Sequence, residues 1–293
     1  MSKTKKNWFP NFHDDPDVFR ESINFTAGQS GFSATLVEKD YFCTLLLMYL
    51  KEYGGGGLIF KGGTSFSKVY FDFYRLSEDL DFIIPMPIDA KRKERSSRVE
   101  KLKKAIPVLP DTLPVFHIKE KLRGANNSSQ YLSTIGYISF VDGSDQTIML
   151  EVGLREPILL EPTDSNARTI LLNAINSKEA IQPYDITCLS INESMAEKFR
   201  AALTRREVAI RDFYDIDYAS RKGMQFDDTG FIDMIRKKLN VPGNDPPDTS
   251  NERLEPLRSQ LETRLKPVLR PRDYETFELD RAIDIVKMIH KSI

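Results

Sequence analysis

Apolar positions recur along the chain with two periods, and the switches between them mark the elements. From Pro16 to about Tyr53 the period is helical. VEKDYFCTLLLMYLKEY (37–53) carries apolar residues at helical spacing, and four glycines at 54–57 stop it. LIF (58–60) reads as a short buried strand, and KGG (61–63) turns the chain. SFSKVYFDF (65–73) reads as one short helix with Ser65 as its N-cap, and LDFII (80–84) as the next strand. PMPIDAKRKERSSRVEKLKKA (85–105) predicts a charged helix with little apolar face. Strand candidates follow around VFHIKEKL, STIGYISFV and TIMLEVGL, with VDGSDQ (141–146) as a hairpin turn between the last two. EPTDSNA (161–167) reads as a loop and ITCLS (186–190) as a last strand. From Ser190 the pattern is mainly helical: SINE offers a capping box, and MAEKFRAAL, VAIRDFYDIDYAS and ELDRAIDIVKMIHKSI predict helices around a Pro/Asp-rich loop at 241–252.

This order predicts an α+β protein. It has a helical N-terminal segment (1–54), a small mixed core (55–188) with a basic helical insertion at about 86–125, and a helical C-terminal domain (189–293). Residues 1–13 read as a loose arm. Composition narrows the chemistry. The chain has 293 residues, 40% hydrophobic and 29% charged, as in ordinary globular proteins. A formal net charge of -1 removes any global signature of nucleic-acid binding, so such a signal must be local. Two distant cysteines (Cys43, Cys188) and three scattered histidines argue against a disulfide framework and a zinc site. No apolar run reaches the length of a membrane span, and the basic N-terminus lacks a signal-peptide core. The expectation is a cytoplasmic protein without a membrane partner.

The chemical signal lies in KGGTSFSKVYFDFYRLSEDLDF (61–82). On a strand, Asp79 and Asp81 would point to one face while Leu80 and Phe82 point into the core. Two carboxylates so placed repel each other, and a divalent metal resolves that repulsion. Hard oxygen donors in a pair suit Mg²⁺. Capping of a turn, or pairing with Arg75 and Lys61 at the surface, is the competing reading. Upstream, Gly63, Thr64 and Ser65 sit between a strand and a helix, where backbone N–H groups can hold phosphate. No Gly-Lys-Ser/Thr follows at the spacing of a P-loop, which excludes that NTPase class.

A strand, a Gly-Gly-Thr-Ser turn, a helix and a strand bearing Asp-x-Asp resemble the polymerase-beta-type nucleotidyltransferase fold. KGGTSFSKVY…RLSEDLDF resembles the AbiEii-type nucleotidyltransferase toxins of type IV toxin–antitoxin and abortive-infection systems, to which the MenT toxins of mycobacteria are related. LVEKDYF, IMLEVGLREP and EKFRAAL…RDFYDI are similar to family segments in the same order, over about residues 35–220. The resemblance implies a nucleotidyltransferase core with a mainly helical C-terminal part. Asp79 and Asp81 would bind Mg²⁺, and Gly63, Thr64 and Ser65 would cradle the NTP phosphates.

Glu151, the one acid within QTIMLEVGL, is the candidate third carboxylate, on a strand able to pair beside Asp81. The alternative is an edge-strand glutamate facing water, the reading given to Glu156. The resemblance makes Lys198 and Asp212 the second half of the site, binding nucleotide and ordering the basic partner. From the residues alone, Asp212, Asp215 and Arg211 read as surface ion pairs worth a few tenths of a kcal/mol. Arg75 is a candidate phosphate contact. Lys39 and Asp40 read either as the rim of the site or as a solvated pair.

Eight Lys/Arg against two Glu between Lys91 and Lys104 form a local basic stretch suited to an RNA backbone, or else a solvated helix. The resemblance implies NMP transfer from NTP to the 3′ end of tRNA, inhibition of translation, and a cognate antitoxin as partner. The alternative acceptor is a protein hydroxyl.

Overall fold

The structure is a computed structural model describing residues 9–293, so the first eight residues of the expected arm lie outside it. Contacts divide the chain into two compact units. One runs up to Leu154 and adds Asp164–Cys188; the other comprises Arg155–Thr163 and Leu189–Ile293.

In the first unit, helix α1 (Pro16–Ser30) starts where Asp15 accepts the Val18 N–H, with proline at the first position, and ends at Gly31 (φ 79°). Helix α2 (Ala34–Tyr53) is capped by Ser33 and stops at Gly54. Its side chains from Leu36 to Leu50 are buried apart from Lys39, so it is the central helix of this unit. Strand β1 (Ile59–Lys61) leads into the one-turn helix α3 (Gly62–Ser65) and a π-helical turn, Phe66–Tyr70. The single helix expected over 65–73 therefore starts earlier and ends sooner. Its cap is Lys61, not Ser65, because Gly62 already has the φ of a turn and Ser65 lies within the helix.

After β2 (Leu80–Ile83), the charged helix expected at 85–105 is two helices, α4 (Arg92–Arg98) and α5 (Glu100–Ala105), broken at Val99 (φ -99°, ψ 3°). Val99, Leu102, Ala105 and Ile106 form a narrow buried stripe that the surrounding charges obscure in the sequence. The short helix α6 (Leu109–Thr112) precedes strands β3 (Phe116–Ala125), β4 (Gln130–Ile138) and β5 (Asp145–Gly153), the last two forming the expected hairpin. Residues 163–167, read as loop, form strand β6 (Thr163–Ala167), and β7 (Tyr184–Cys188) follows. Strand β6 lies at the sheet edge and is largely exposed, so no apolar alternation announces it.

Among the described residues these seven strands form one mixed sheet in the order β3-β4-β5-β2-β1-β7-β6. Strand β2 runs antiparallel to β1 and parallel to β5. Register sorts the side chains into rows. Phe60, Phe82, Val152 and Tyr131 are paired in turn and buried, and they share one core cluster with residues of α2 and α5. One residue away, Lys61, Asp81, Glu151, Leu132 and Arg123 form the neighbouring row, which must point to the opposite face.

The second unit holds α7 (Ile191–Thr204), α8 (Ile210–Arg221), α9 (Thr229–Leu239), the short α10 (Asn251–Leu254), α11 (Leu257–Gln260) and α12 (Pro271–Glu275), and α13 (Leu279–Ser292). Half of the expected capping box forms: Ser190 accepts the Glu193 N–H, while the Glu193 carboxylate accepts from Leu159 and Leu160 N–H and pairs with Lys238. No helix among the described residues is long and apolar enough to cross a membrane.

Candidate active site

The glycine turn is built around the side chains it touches. Gly62 has φ 79°, a region costly for any residue with a Cβ. Lys61 is paired with Asp81, so the Asp81 side chain lies against the turn. A Cβ on Gly62 would sit 2.2 Å from Asp81 Oδ2 and 2.9 Å from Asp81 Cβ. A Cβ on Gly63 would sit 2.3 Å from Arg75 Nη2. Arg75, the candidate phosphate contact, is 2% exposed, lies against Gly63 and donates to the Leu76 carbonyl.

The two hydroxyls are also committed to the fold. Thr64 donates to the Asp79 carbonyl, tying the turn to the acidic strand, and Ser65 donates to the Gly62 carbonyl at 2.9 Å. What this turn offers an anion is the N–H groups of its first helical residues, which have no partner within a helix.

Asp79 stands one residue before β2 rather than within it, and its Oδ1 accepts the Met149 N–H at 3.3 Å. Asp81 is directly opposite Glu151 on the parallel strand β5, the pairing expected from the sequence. Glu151 accepts from Gln130 Nε2 at 2.8 Å. Leu80 and Leu150, between the acids, are fully buried on the other face. Asp81 and Glu151 thus come to adjacent positions on one sheet face, with Asp79 just before the strand, and none of the three is a sulfur or imidazole donor. That all-oxygen donor set fits Mg²⁺. Among the described residues no group of three His, Cys, Asp or Glu side chains is placed to hold a metal ion. Mg²⁺ commonly rests on one or two carboxylates, with water and substrate phosphates filling its other positions.

Helix α2 secures this arrangement through three consecutive charges. Glu38, fully buried, accepts from Ser139 Oγ at 2.6 Å and Phe140 N–H at 2.5 Å, docking the β4–β5 turn. Burial holds its carboxyl above the usual range despite those donors. Lys39 pairs with Glu78 at 3.0 Å, next to Asp79. Asp40, 2% exposed, pairs with Lys68 at 2.5 Å and accepts from Thr169 Oγ1 and the Ile170 N–H. Lys68 lies in the π-helical turn that continues α3 and also donates to Thr44 Oγ1 at 2.6 Å. Lys39 and Asp40 are therefore not a solvated pair: Lys39 ties α2 to the residue before Asp79, and Asp40 ties it to the turn that continues α3. The Cys43 thiol, buried near the Glu78 carbonyl, is pushed up to about 12 by desolvation, which removes it as a nucleophile.

The second unit contains the other candidates. Lys198 on α7 bridges Asp212 at 2.8 Å and Asp215 at 2.9 Å, both on α8, and Arg205 pairs with Asp212 at 3.0 Å. Asp212 and Asp215 are buried, so the reading of surface ion pairs is corrected: helix α8 is covered on its acidic side as well as its apolar one. Glu156, read as facing water, is 2% exposed and joins Glu193 and Glu197 around the buried Lys238. Those carboxylates hold the Lys238 ammonium well above the usual lysine range, against the opposing effect of burial.

The basic stretch also falls differently from expectation. Helix α5 packs through Leu102 and Ala105, with Val99 before it, into the cluster that contains Leu80 and Phe82, so it lies on the face of the sheet opposite the acids, whereas α4 has no buried residue. The sequence reading missed Glu38, Lys68 and Arg123. Only the Glu-Lys-Asp run inside an apolar helix signalled any of these positions.

The chain matches the family model of the nucleotidyl transferase AbiEii toxin of type IV toxin–antitoxin systems over residues 48–283. Two solved structures from Helicobacter pylori align with it. One is a provisionally assigned nucleotidyltransferase, 15% identical, covering 85% of this chain and 93% of that one with a TM-score of 0.47. The other is JHP933, 16% identical, covering 89% and 94% with a TM-score of 0.48. No curated protein matches the chain significantly.

Proposed function

Since the chain belongs to the AbiEii family of nucleotidyltransferase toxins of type IV toxin–antitoxin systems, we propose that it transfers NMP from an NTP to the 3′ end of an RNA, tRNA being the favoured acceptor, and so inhibits translation. The observation that carries the reading is the row of Asp81 and Glu151 in register, beside Asp79 and against the Gly62 turn. Two compact carboxylates next to a helix N-terminus are what a triphosphate and its cation need.

In this reading Asp79 and Asp81 hold Mg²⁺, with Glu151 as the third carboxylate. The cation would neutralise charge on the triphosphate and on the departing pyrophosphate. The N–H groups of Gly63, Thr64 and Ser65 hold the outer phosphates. The Thr64 and Ser65 hydroxyls and Arg75 keep the turn in shape. The acceptor 3′-hydroxyl oxygen forms a bond to the α-phosphorus as the bond to pyrophosphate breaks. Glu151 takes the hydroxyl proton, and pyrophosphate leaves. Lys198, held by Asp212 and Asp215, is the cation of the second unit assigned to bind nucleotide as a point charge. The cognate antitoxin that a type IV system implies would be the regulatory partner in defence against phage.

The test is incubation of the protein with total tRNA, Mg²⁺ and each α-labelled NTP, beside Asp81→Ala. Label on tRNA that disappears in the variant is the expected result. Label on protein would move the acceptor to a protein hydroxyl. No label with any NTP from a preparation that still poisons cells would overturn the mechanism.

A further inference from the structure

The face of the sheet that carries the acids extends beyond them across β5, β4 and β3, and its composition changes on the way. Next to Glu151 in the same row come Leu132 and then Arg123 on the edge strand. One row along, Met149 is paired with Thr134 and Thr134 with Glu120. In the row after that the His117 ring lies over Gly136, where an added Cβ would come within 2.2 Å of its Nε2. Met149 is 46% exposed although it is an apolar residue in the middle of a strand flanked on both sides. Arg123 is exposed and makes no ion pair with a described residue, whereas Glu120 is engaged by Thr134 Oγ1 at 3.0 Å and His117 by Asp145 at 3.2 Å. The result is a shallow platform of apolar and ring surface, with a cation two strands from Glu151. At ~4.8 Å per strand that is about 10 Å, within the span of one or two nucleotides.

We infer that this platform seats the single-stranded 3′ end of the acceptor RNA. The terminal bases lie on Met149, Leu132 and the His117 ring, and a backbone phosphate meets Arg123. The inference rests on the RNA reading above and deepens it by locating the acceptor. Two arguments select this occupant. A nucleophilic hydroxyl has to reach the acids on the face they occupy, and the platform is continuous with them. An exposed apolar strip bordered by a cation that makes no ion pair with a described residue complements a polynucleotide end, whose bases stack and whose backbone is anionic. Helix α5 packs on the reverse face, so its basic residues do not adjoin the acids.

Two measurements test this. The first is affinity for a 3′-labelled tRNA without NTP, over a salt series. The second is the KM for tRNA and for NTP separately. Arg123→Glu and Met149→Glu alter exposed side chains, and Lys101→Glu/Lys104→Glu on α5 of the reverse face is the comparison. Arg123→Glu is expected to weaken RNA binding roughly tenfold and to lower the salt slope by about one, with KM for NTP unchanged and Arg123→Lys close to wild type. Met149→Glu is expected to raise the KM for tRNA alone. Unaltered RNA binding in both front-face variants, or a larger loss in the reverse-face variant, overturns the platform while the wild type still labels RNA. A wild type that labels no RNA overturns the RNA reading itself, and the platform with it.

Discussion

Replacing Asp40 with Asn tests whether the tie between α2 and the turn that continues α3 is electrostatic. Lys68 is 2% exposed, and its ammonium reaches Asp40 Oδ1 at 2.5 Å, Thr44 Oγ1 at 2.6 Å and the Asp40 carbonyl at 3.1 Å. The Asn side chain keeps the shape and one acceptor oxygen but removes the counter-charge. It also puts an amide N–H₂ where a carboxylate oxygen now accepts the Ile170 N–H at 2.9 Å. A buried cation left without its partner costs about 3–5 kcal/mol, a large share of the ~5–15 kcal/mol that holds a domain together. At ~2–4 °C per kcal/mol, the melting temperature should fall by roughly 6–20 °C.

The assay is thermal and urea unfolding of wild type, Asp40→Asn, Lys68→Met and the double variant Asp40→Leu/Lys68→Met. The double variant removes both charges and should recover at least about 1 kcal/mol relative to Asp40→Asn, although the Ile170 N–H loses its acceptor. Transfer activity, measured well below the melting point, should also fall in Asp40→Asn, because Lys68 belongs to the turn that continues α3. A loss under about 1 kcal/mol in Asp40→Asn, with the double variant no better, would refute the idea that the pair braces the site.

Three other outcomes are expected. Gly62→Ala forces a Cβ into a left-handed position costing roughly 1–2 kcal/mol and into contact with Asp81. Transfer should therefore drop far more than stability, which circular dichroism melts alongside kcat would show, and equal losses would contradict it. Lys198→Met removes the shared partner of two buried aspartates and should destabilise by about 3 kcal/mol. Adding Asp215→Asn should return part of that in a denaturant titration. His13 sits against Tyr41 Oη at 2.8 Å, and desolvation lowers its pKa in the folded state, outweighing the attraction of Asp14. The unfolded chain then binds the extra proton first, so stability is unaffected above about pH 6.5 and is lost as the pH falls below it. His13→Gln should flatten the stability–pH curve just below about pH 6.5, and an unchanged slope there would rule His13 out as its source.

Taken alone, the sequence determined the local order of this protein. The run of apolar residues over 34–53, the glycines after it, the turn at 62–65 and the Asp-x-Asp that follows are each specified within a few residues, because helix period, strand alternation and turn preference act over that range. The pairing of β5 beside Asp81 was also legible, since an acid within an apolar strand has few uses. What tertiary structure decided was which polar groups are inside. Glu38 meets Ser139, Asp40 meets Thr169, and Glu156 meets Lys238, partners 101, 129 and 82 residues away. A charge can be buried only where such a partner compensates its desolvation, and nothing near it in sequence records that partner. Register had the same effect on the sheet. One step along each strand separates the buried row of Phe82 and Val152 from the open row of Asp81, Glu151 and Arg123. The side to which the basic helix α5 packs therefore followed from how the strands align, not from the charges that helix carries.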